Sequence, residues 1–347
     1  MDSPDRIPKQ PLHPSIIPKL DPEYVQFHEK YIQYETPAYM VPWDPIKARA
    51  VQSFDVGSRE PLEVGKIEEF EIPMKLGDGR KTPVRAYTPP GKPSVAGWPL
   101  LLYFHGGGWT VGRLDTETSL ITYLCVGAKC VVLTVDYRLA PENKFPAAVE
   151  DTVEALQWVI INGKARLNVD TSKIATGGNS AGGNLAAVLA IKSAQTSFNP
   201  PLPKPMLLQL LLVPPVDQTS TDAPGGRWEG NKHAPILPSV LMNRAKERYL
   251  RNEEDRLNWE ASPLFAPEEV LRKAPKAWIG IGEMDILCDE GEAYAEKLKR
   301  CEVETECVVY GGGTHAVFLL DRILKISANA VSDAVNALAK AFGTAES

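Results

Sequence analysis

Lys173-Ile174-Ala175-Thr176-Gly177-Gly178-Asn179-Ser180-Ala181-Gly182-Gly183-Asn184-Leu185-Ala186-Ala187 contains three local structures in succession. Lys173 to Thr176 is a short strand, Gly178 to Gly182 is a G-x-S-x-G turn, and Gly183 onward has the composition of a helix. A serine on a tight strand-to-helix turn needs small neighbours, because its backbone is strained and closely approached, and the turn exposes its Oγ at the end of a sheet. The same pentapeptide could simply pack a helix on a strand. Its placement between strand and helix favours a nucleophile at Ser180.

Outward from this turn the chain alternates short apolar runs with longer stretches of helical period from Lys66 onward, the pattern of a mostly parallel sheet wrapped by helices. Strands are expected at Ile67 to Met74, Pro83 to Tyr87, Leu100 to Phe104, Cys130 to Val135, Lys173 to Thr176, Leu207 to Val213, Trp278 to Gly282 and Glu306 to Tyr310. The first two, joined through Gly77-Asp78-Gly79, read as an antiparallel hairpin at the sheet edge. Helices are expected at Ala147 to Ile161, Gly183 to Ala194, Ala293 to Cys301 and Ala328 to Phe342. The fold class is therefore α/β, a mostly parallel central sheet flanked by helices.

Two stretches break the alternation. Residues 1–54 form an N-terminal segment, and residues 217–264, with a helical run from Pro238 to Leu250, are inserted into the domain of residues 55–347. An insertion of that length in a compact domain usually serves as a lid or binding element. Both are expected to pack together as a cap. Tyr24, Phe27, Tyr31 and Tyr34 recur at spacings of three and four, so they should share one helix face, either packing the segment onto the domain or lining a pocket.

A second glycine run, His105-Gly106-Gly107-Gly108-Trp109, follows the strand Leu100 to Phe104. Consecutive glycines let peptide N–H groups face a cavity without side chains in the way, as an oxyanion hole requires. The candidate donors are two of Gly106, Gly107 and Gly108, together with Ala181. A phosphate loop is the competing reading, but the spacing matches neither nucleotide-binding motif.

A base is sought among His13, His28, His105, His233 and His315. His315 alone follows a late strand and lies after Ser180 in the chain order Ser, acid, His. His105 is read as a buttress of the glycine loop. The acid should come from Glu283, Asp285, Asp289 or Glu290 on the preceding strand's loop. Asp289 and Glu290 look like a helix start; Asp285 is preferred, with Glu283 as runner-up.

The composition agrees with a soluble globular chain: 347 residues, 44% hydrophobic and 24% charged, with net charge −6. No basic stripe offers itself to nucleic acid. The N-terminus, with five prolines before Leu20, lacks a secretory signal, and no run is long enough to span a bilayer. A cytoplasmic protein without membrane or nucleic-acid partners is expected, as monomer or homodimer. Cys125, Cys130, Cys288, Cys301 and Cys307 show neither disulfide nor zinc spacing, so no metal is expected.

Over Trp98 to Phe318 the sequence resembles the hormone-sensitive-lipase-like carboxylesterases of the α/β-hydrolase superfamily. The resemblance rests on His105 to Trp109, on Tyr137-Arg138-Leu139-Ala140-Pro141-Glu142 followed by Phe145-Pro146-Ala147-Ala148, and on Asn179-Ser180-Ala181-Gly182-Gly183-Asn184. Ser262-Pro263-Leu264, and Asp285-Ile286-Leu287 with His315, complete it. It implies a triad of Ser180, Asp285 and His315, an oxyanion hole from the glycines after His105 plus Ala181, no cofactor, and esters of short to medium acyl length. Trp109 and Asn179, beside the two loops, are candidate substrate contacts. Asn179 stands where many members carry Asp and others Thr. Lactone, amide or acyl-transfer chemistry would use the same residues. So would the scaffold of a non-catalytic receptor, although the gibberellin receptors, which resemble the same family, lack the catalytic histidine.

Overall fold

Residues 100 to 104 and 131 to 135 alternate strictly between two cores. Leu100, Leu102, Phe104, Val131, Leu133 and Val135 join one cluster, while Leu101, Tyr103 and Val132 join another. A strand's side chains point alternately to opposite faces, so near-continuous apolar strands of this kind can exist only in a sheet covered on both sides. The computed structural model, which describes residues 7–50, 57–74 and 79–345, has that architecture.

Eight strands form one sheet: β1 Lys66–Pro73, β2 Lys81–Thr88, β3 Trp98–Phe104, β4 Val131–Val135, β5 Val169–Asn179, β6 Gln209–Leu212, β7 Ala277–Met284 and β8 Thr305–Thr314. Their order is β1-β2-β4-β3-β5-β6-β7-β8. β2 is antiparallel to both β1 and β4; all pairings from β4 to β8 are parallel. Every expected strand is present, and β1 and β2 form the antiparallel edge pair. Gly77 and Asp78 of their turn lie outside the described residues.

The helices are α1 Pro22–Phe27, α2 Pro45–Ala50, α3 Thr118–Gly127, α4 Ala147–Leu167, α5 Ala181–Ser193, α6 Ser239–Tyr249, α7 Glu268–Leu271, α8 Cys288–Arg300 and α9 Lys325–Phe342. Apolar residues of α4, α5 and α8 enter the first core; those of α3 and α9 enter the second. α4 stops where Asn168 takes a left-handed conformation, φ 52°, which asparagine tolerates well. The Asn168 carbonyl then accepts the N–H of Trp98, tying the helix end to β3. α8 begins five residues before the expected Ala293, with Asp289 and Glu290 in its first turn. Among the described residues no helix is long and apolar enough to cross a membrane.

The N-terminal segment and the insertion touch directly. The rings of His13 and His233 stack with centroids 3.8 Å apart, Arg244 donates to the Tyr39 carbonyl, and the Arg248 guanidinium lies 4.1 Å from the Trp43 ring centre. The aromatic stripe stays in contact as far as Tyr31, whose ring centre lies 5.4 Å from that of Phe27, but its burial falls off along the way. Tyr24 and Phe27 are buried with Ile16, Leu20, Met284 and Ala316, but residues 28–32 form a π-helical turn and Tyr31 is 44% exposed.

Candidate active site

Parallel strands deliver their following loops to one edge of the sheet, and four such loops converge here. The first belongs to β5. Ser180 directly follows it with φ 52° and ψ −120° and caps α5, a conformation costly for a residue with a Cβ. Its N–H donates to the Leu212 carbonyl on β6 at 2.8 Å. The turn is closed so tightly that a Cβ on Gly182 would lie 1.9 Å from the Phe104 carbonyl oxygen, and one on Gly178 2.4 Å from the Gly182 carbonyl. Only glycine fits at those two positions.

His315 enters from the loop after β8. Its Nε2 is 2.9 Å from Ser180 Oγ, and its Nδ1 is 2.6 Å from Asp285 Oδ2. A carboxylate can only accept, so Nδ1 carries the proton and Nε2 is free to accept the serine's. Asp285, on the loop after β7, has a fully buried side chain, while that of His315 is 12% exposed. Asp285 is further fixed by the Leu287 N–H, which donates to Oδ1 at 3.1 Å. Asn231 of the insertion donates to the carbonyls of Glu283 and Asp285, both at 2.8 Å. The runner-up Glu283 is engaged elsewhere: its Oε2 accepts the Gly312 N–H at 2.8 Å. It thereby braces the glycine loop that leads to His315.

The loop after β3 contributes His105 to Trp109. Gly107 and Gly108 have φ of 117° and 58°, and both are partly exposed whereas Gly106 is buried. The Gly106 N–H donates to Glu117 Oε1 at 3.0 Å. The Gly106 N–H is therefore already committed to a side chain. His105 stacks on Tyr137 with centroids 4.4 Å apart, and its Nδ1 donates to the Gly106 carbonyl at 2.7 Å. Burial pushes its pKa down to about 4, keeping it neutral.

The two candidate substrate contacts lie elsewhere than expected. Trp109 has no exposed surface; its indole stacks on Tyr249 of α6, centroids 4.4 Å apart and 5° from parallel. The cause is its positive φ of 58°, at the point where the loop turns back toward the core and the insertion covers it. Asn179 is buried, and its Nδ2 donates to Glu117 Oε1 at 2.9 Å. Both side chains hold the loops from behind.

Glu117 escaped the sequence reading. It precedes α3 like any first-turn acid, yet it is buried and gathers Gly106, Asn179 and the Tyr103 hydroxyl, the last at 2.6 Å. Burial raises its pKa above the ordinary carboxylate value, opposed by those three donors. A second unforeseen network ties the insertion to α8. Glu290 accepts from the Val216 N–H at 2.8 Å and from Trp228 Nε1 at 3.0 Å, and the Lys246 ammonium lies 3.9 Å from the Trp228 ring centre. Among the described residues, Cys288, Asp289 and Glu292 bring metal-type ligand atoms within 4.8 Å of one another, and burial, with the neighbouring acids, pushes the Cys288 thiol's pKa up.

Comparison with known proteins agrees with this fold. Residues 101–319 match the family model described as alpha/beta hydrolase fold. An AB hydrolase superfamily protein of Schizosaccharomyces pombe is 41% identical over 96% of this chain and 97% of its own length. An arylesterase of Saccharolobus solfataricus is 32% identical over 86% of this chain and 92% of its own. The crystal structure of an alpha/beta hydrolase enzyme from the Lake Arreo metagenome superposes with a TM-score of 0.83 at 28% identity, covering 94% of this chain and all of that one. With matching motifs, fold and relatives, the chain belongs to the α/β-hydrolase-fold family of hormone-sensitive-lipase-like carboxylesterases, and it is a carboxylic ester hydrolase.

Proposed function

We propose that the chain hydrolyses carboxylic esters of short to medium acyl length, with Ser180 as nucleophile, His315 as general base and then acid, and Asp285 as the group that orients the imidazole. The observation that carries this reading is the unbroken hydrogen-bond line from Ser180 Oγ through His315 to Asp285, at 2.9 and 2.6 Å. Ser180 Oγ attacks the acyl carbon as His315 Nε2 takes its proton; His315 returns that proton to the departing alkoxide, leaving an acyl-enzyme. Water, deprotonated by the same imidazole, then releases the acid. The oxyanion of each tetrahedral intermediate is held by the N–H groups of Gly107, Gly108 and Ala181. Supporting that choice, Gly106 donates to Glu117, and Ala181 opens α5, where first-turn N–H groups have no intrahelical acceptor.

The N-terminal segment and the insertion act as a cap over these loops. What favours short acyl chains is that the insertion stacks Tyr249 on Trp109 and that Ala245 stands 3.1 Å from where a Gly108 Cβ would be, so the oxyanion loop is closely covered. The test is a screen of p-nitrophenyl esters from acetyl to palmitoyl beside a lactone and an anilide, on the native chain and Ser180→Ala. Butyrate or hexanoate should be turned over fastest, and phenylmethylsulfonyl fluoride should label the native chain only. Full activity in Ser180→Ala would remove the nucleophile assignment; a palmitate optimum would point to a lipase.

A further inference from the structure

We propose that Glu117 is a positioning residue that holds the oxyanion loop and the nucleophile turn in register through one carboxylate oxygen. Its Oε1 accepts from the Gly106 N–H at 3.0 Å and from Asn179 Nδ2 at 2.9 Å. Gly106 immediately precedes the donor Gly107, and Asn179 immediately precedes Ser180. One atom is thus a single residue away from each of two groups that must face the same tetrahedral intermediate. The proposal rests on the oxyanion assignment above.

The other carboxylate oxygen is anchored independently. Oε2 accepts the hydroxyl of Tyr103 at 2.6 Å, and Tyr103 is a buried residue of β3, the strand that launches the glycine loop. The Glu117 backbone is fixed in turn, since its carbonyl accepts the Ile121 N–H at 3.0 Å in α3. A carboxylate held at both oxygens, on a helix start and on the central sheet, makes a rigid bracket.

Three consecutive glycines have more backbone freedom than any other triplet. An oxyanion hole works only if its donors are already aimed at the developing charge. The loop's sequence therefore supplies open N–H groups at the expense of order, and Glu117 restores order at Gly106. Asn179 fits the same logic: the carboxylate opposite it requires a donor, which an aspartate at 179 would not offer in its ionised form. Glu117 has no hydrogen bond to Ser180 or His315, and both its oxygens are occupied, so it acts through its partners and not on the substrate.

The experiment compares Glu117→Gln, Glu117→Ala and Asn179→Leu with the native chain, measuring kcat and KM for p-nitrophenyl butyrate, the rate of fluorophosphonate labelling, and Tm. Glutamine keeps an oxygen for Gly106 and Asn179 and turns an amide toward the Tyr103 oxygen, so kcat should stay within about fivefold of native. Alanine frees the loop; kcat and labelling should each fall by roughly 10²-fold, the scale of a misplaced or lost oxyanion donor, with KM nearly unchanged. A folded Glu117→Ala with native kcat overturns the proposal. So does a Glu117→Gln as slow as the alanine variant, because charge and not position would then be at work. Should Glu117→Ala not fold, Asn179→Leu decides: a kcat lowered about tenfold at constant KM supports the bracket, and a native kcat overturns it. Failure of the underlying oxyanion assignment looks different, for a folded Gly107→Val would then keep the native kcat.

Discussion

Lys246 has no exposed surface; its ammonium donates to the Ser220 carbonyl at 3.0 Å and lies over the face of Trp228. The same indole donates to Glu290, so Trp228 touches both charges of a buried pair that joins the insertion to α8. Replacing Lys246 by methionine keeps the stem and deletes the charge. The lost cation–π contact is worth about 2 kcal/mol when desolvated, and the charged hydrogen bond about 1.5–3 kcal/mol. Relief of the ammonium's own desolvation offsets part of this, leaving a net cost of about 2–3 kcal/mol near pH 8. At roughly 2 cal/mol/K of unfolding entropy per residue, a chain of this length should lose about 3–4 °C in Tm.

The cost should depend on pH. Burial raises the pKa of Glu290 from 4.5 to about 7, so its contribution to stability is full below pH 4.5 and is lost as pH rises through 7. Burial lowers that of Lys246 from 10.5 to about 8, so its contribution is full above pH 10.5 and is lost as pH falls through 8. At pH 5 Glu290 is protonated and the lysine has little to attract; between pH 7 and 8 Glu290 is ionised while Lys246 keeps much of its charge, and the attraction matters. Without Lys246 the Glu290 carboxyl is harder still to ionise, and the variant's deficit grows from pH 5 to pH 8. Thermal unfolding of both proteins across that range measures it. A Tm difference that is independent of pH, or a variant more stable at pH 8, would refute the coupling.

Gly107→Val should leave a folded protein whose kcat is lowered at least ~10²-fold, since the site has φ 117° and a Cβ there would lie 2.2 Å from the Val111 carbonyl oxygen; steady-state kinetics and circular dichroism together check it. Asp285→Asn should keep the fold but present the wrong imidazole tautomer to Ser180, lowering kcat by ~10⁴-fold, again by kinetics. Phe27→Ala should cost about 3–4 kcal/mol because Phe27 is buried against the cluster that holds Met284 and Ala316. Those residues adjoin Asp285 and His315 in the chain, so denaturant unfolding and kcat should both register the change.

The strands were legible because each is apolar enough to be buried on both faces and is bounded by turn residues. The helix starting at Cys288 was read late because its first turn, acidic and interrupted by Gly291, carries little periodicity. Ser180, Asp285 and His315 could be located as strand-end positions in a given chain order, with no knowledge of distances. What stayed hidden depends on side chains far apart in sequence. Nothing local marks Glu117, whose partners come from residues 103, 106 and 179. Nothing marks Lys246 as buried, since its helix reads as amphipathic and mostly polar. Trp109 was read as facing a ligand because it ends the glycine loop; the backbone's positive φ, invisible in sequence, turns it inward.

His315 is delivered by β8, which stands at the end of the sheet order and, among the described residues, pairs with β7 alone, whereas Ser180 follows β5 in the middle. The proposed nucleophile thus follows a strand paired on both sides, and its proposed base follows one at the end of the sheet. Edge elements open with less free energy than the whole domain does. An excursion of β8 from the sheet would separate Nε2 from Oγ while the central strands and both cores stayed intact. Turnover would then cease in molecules that are still almost entirely folded, and inactivation by heat or denaturant would be governed by this one strand before global unfolding begins.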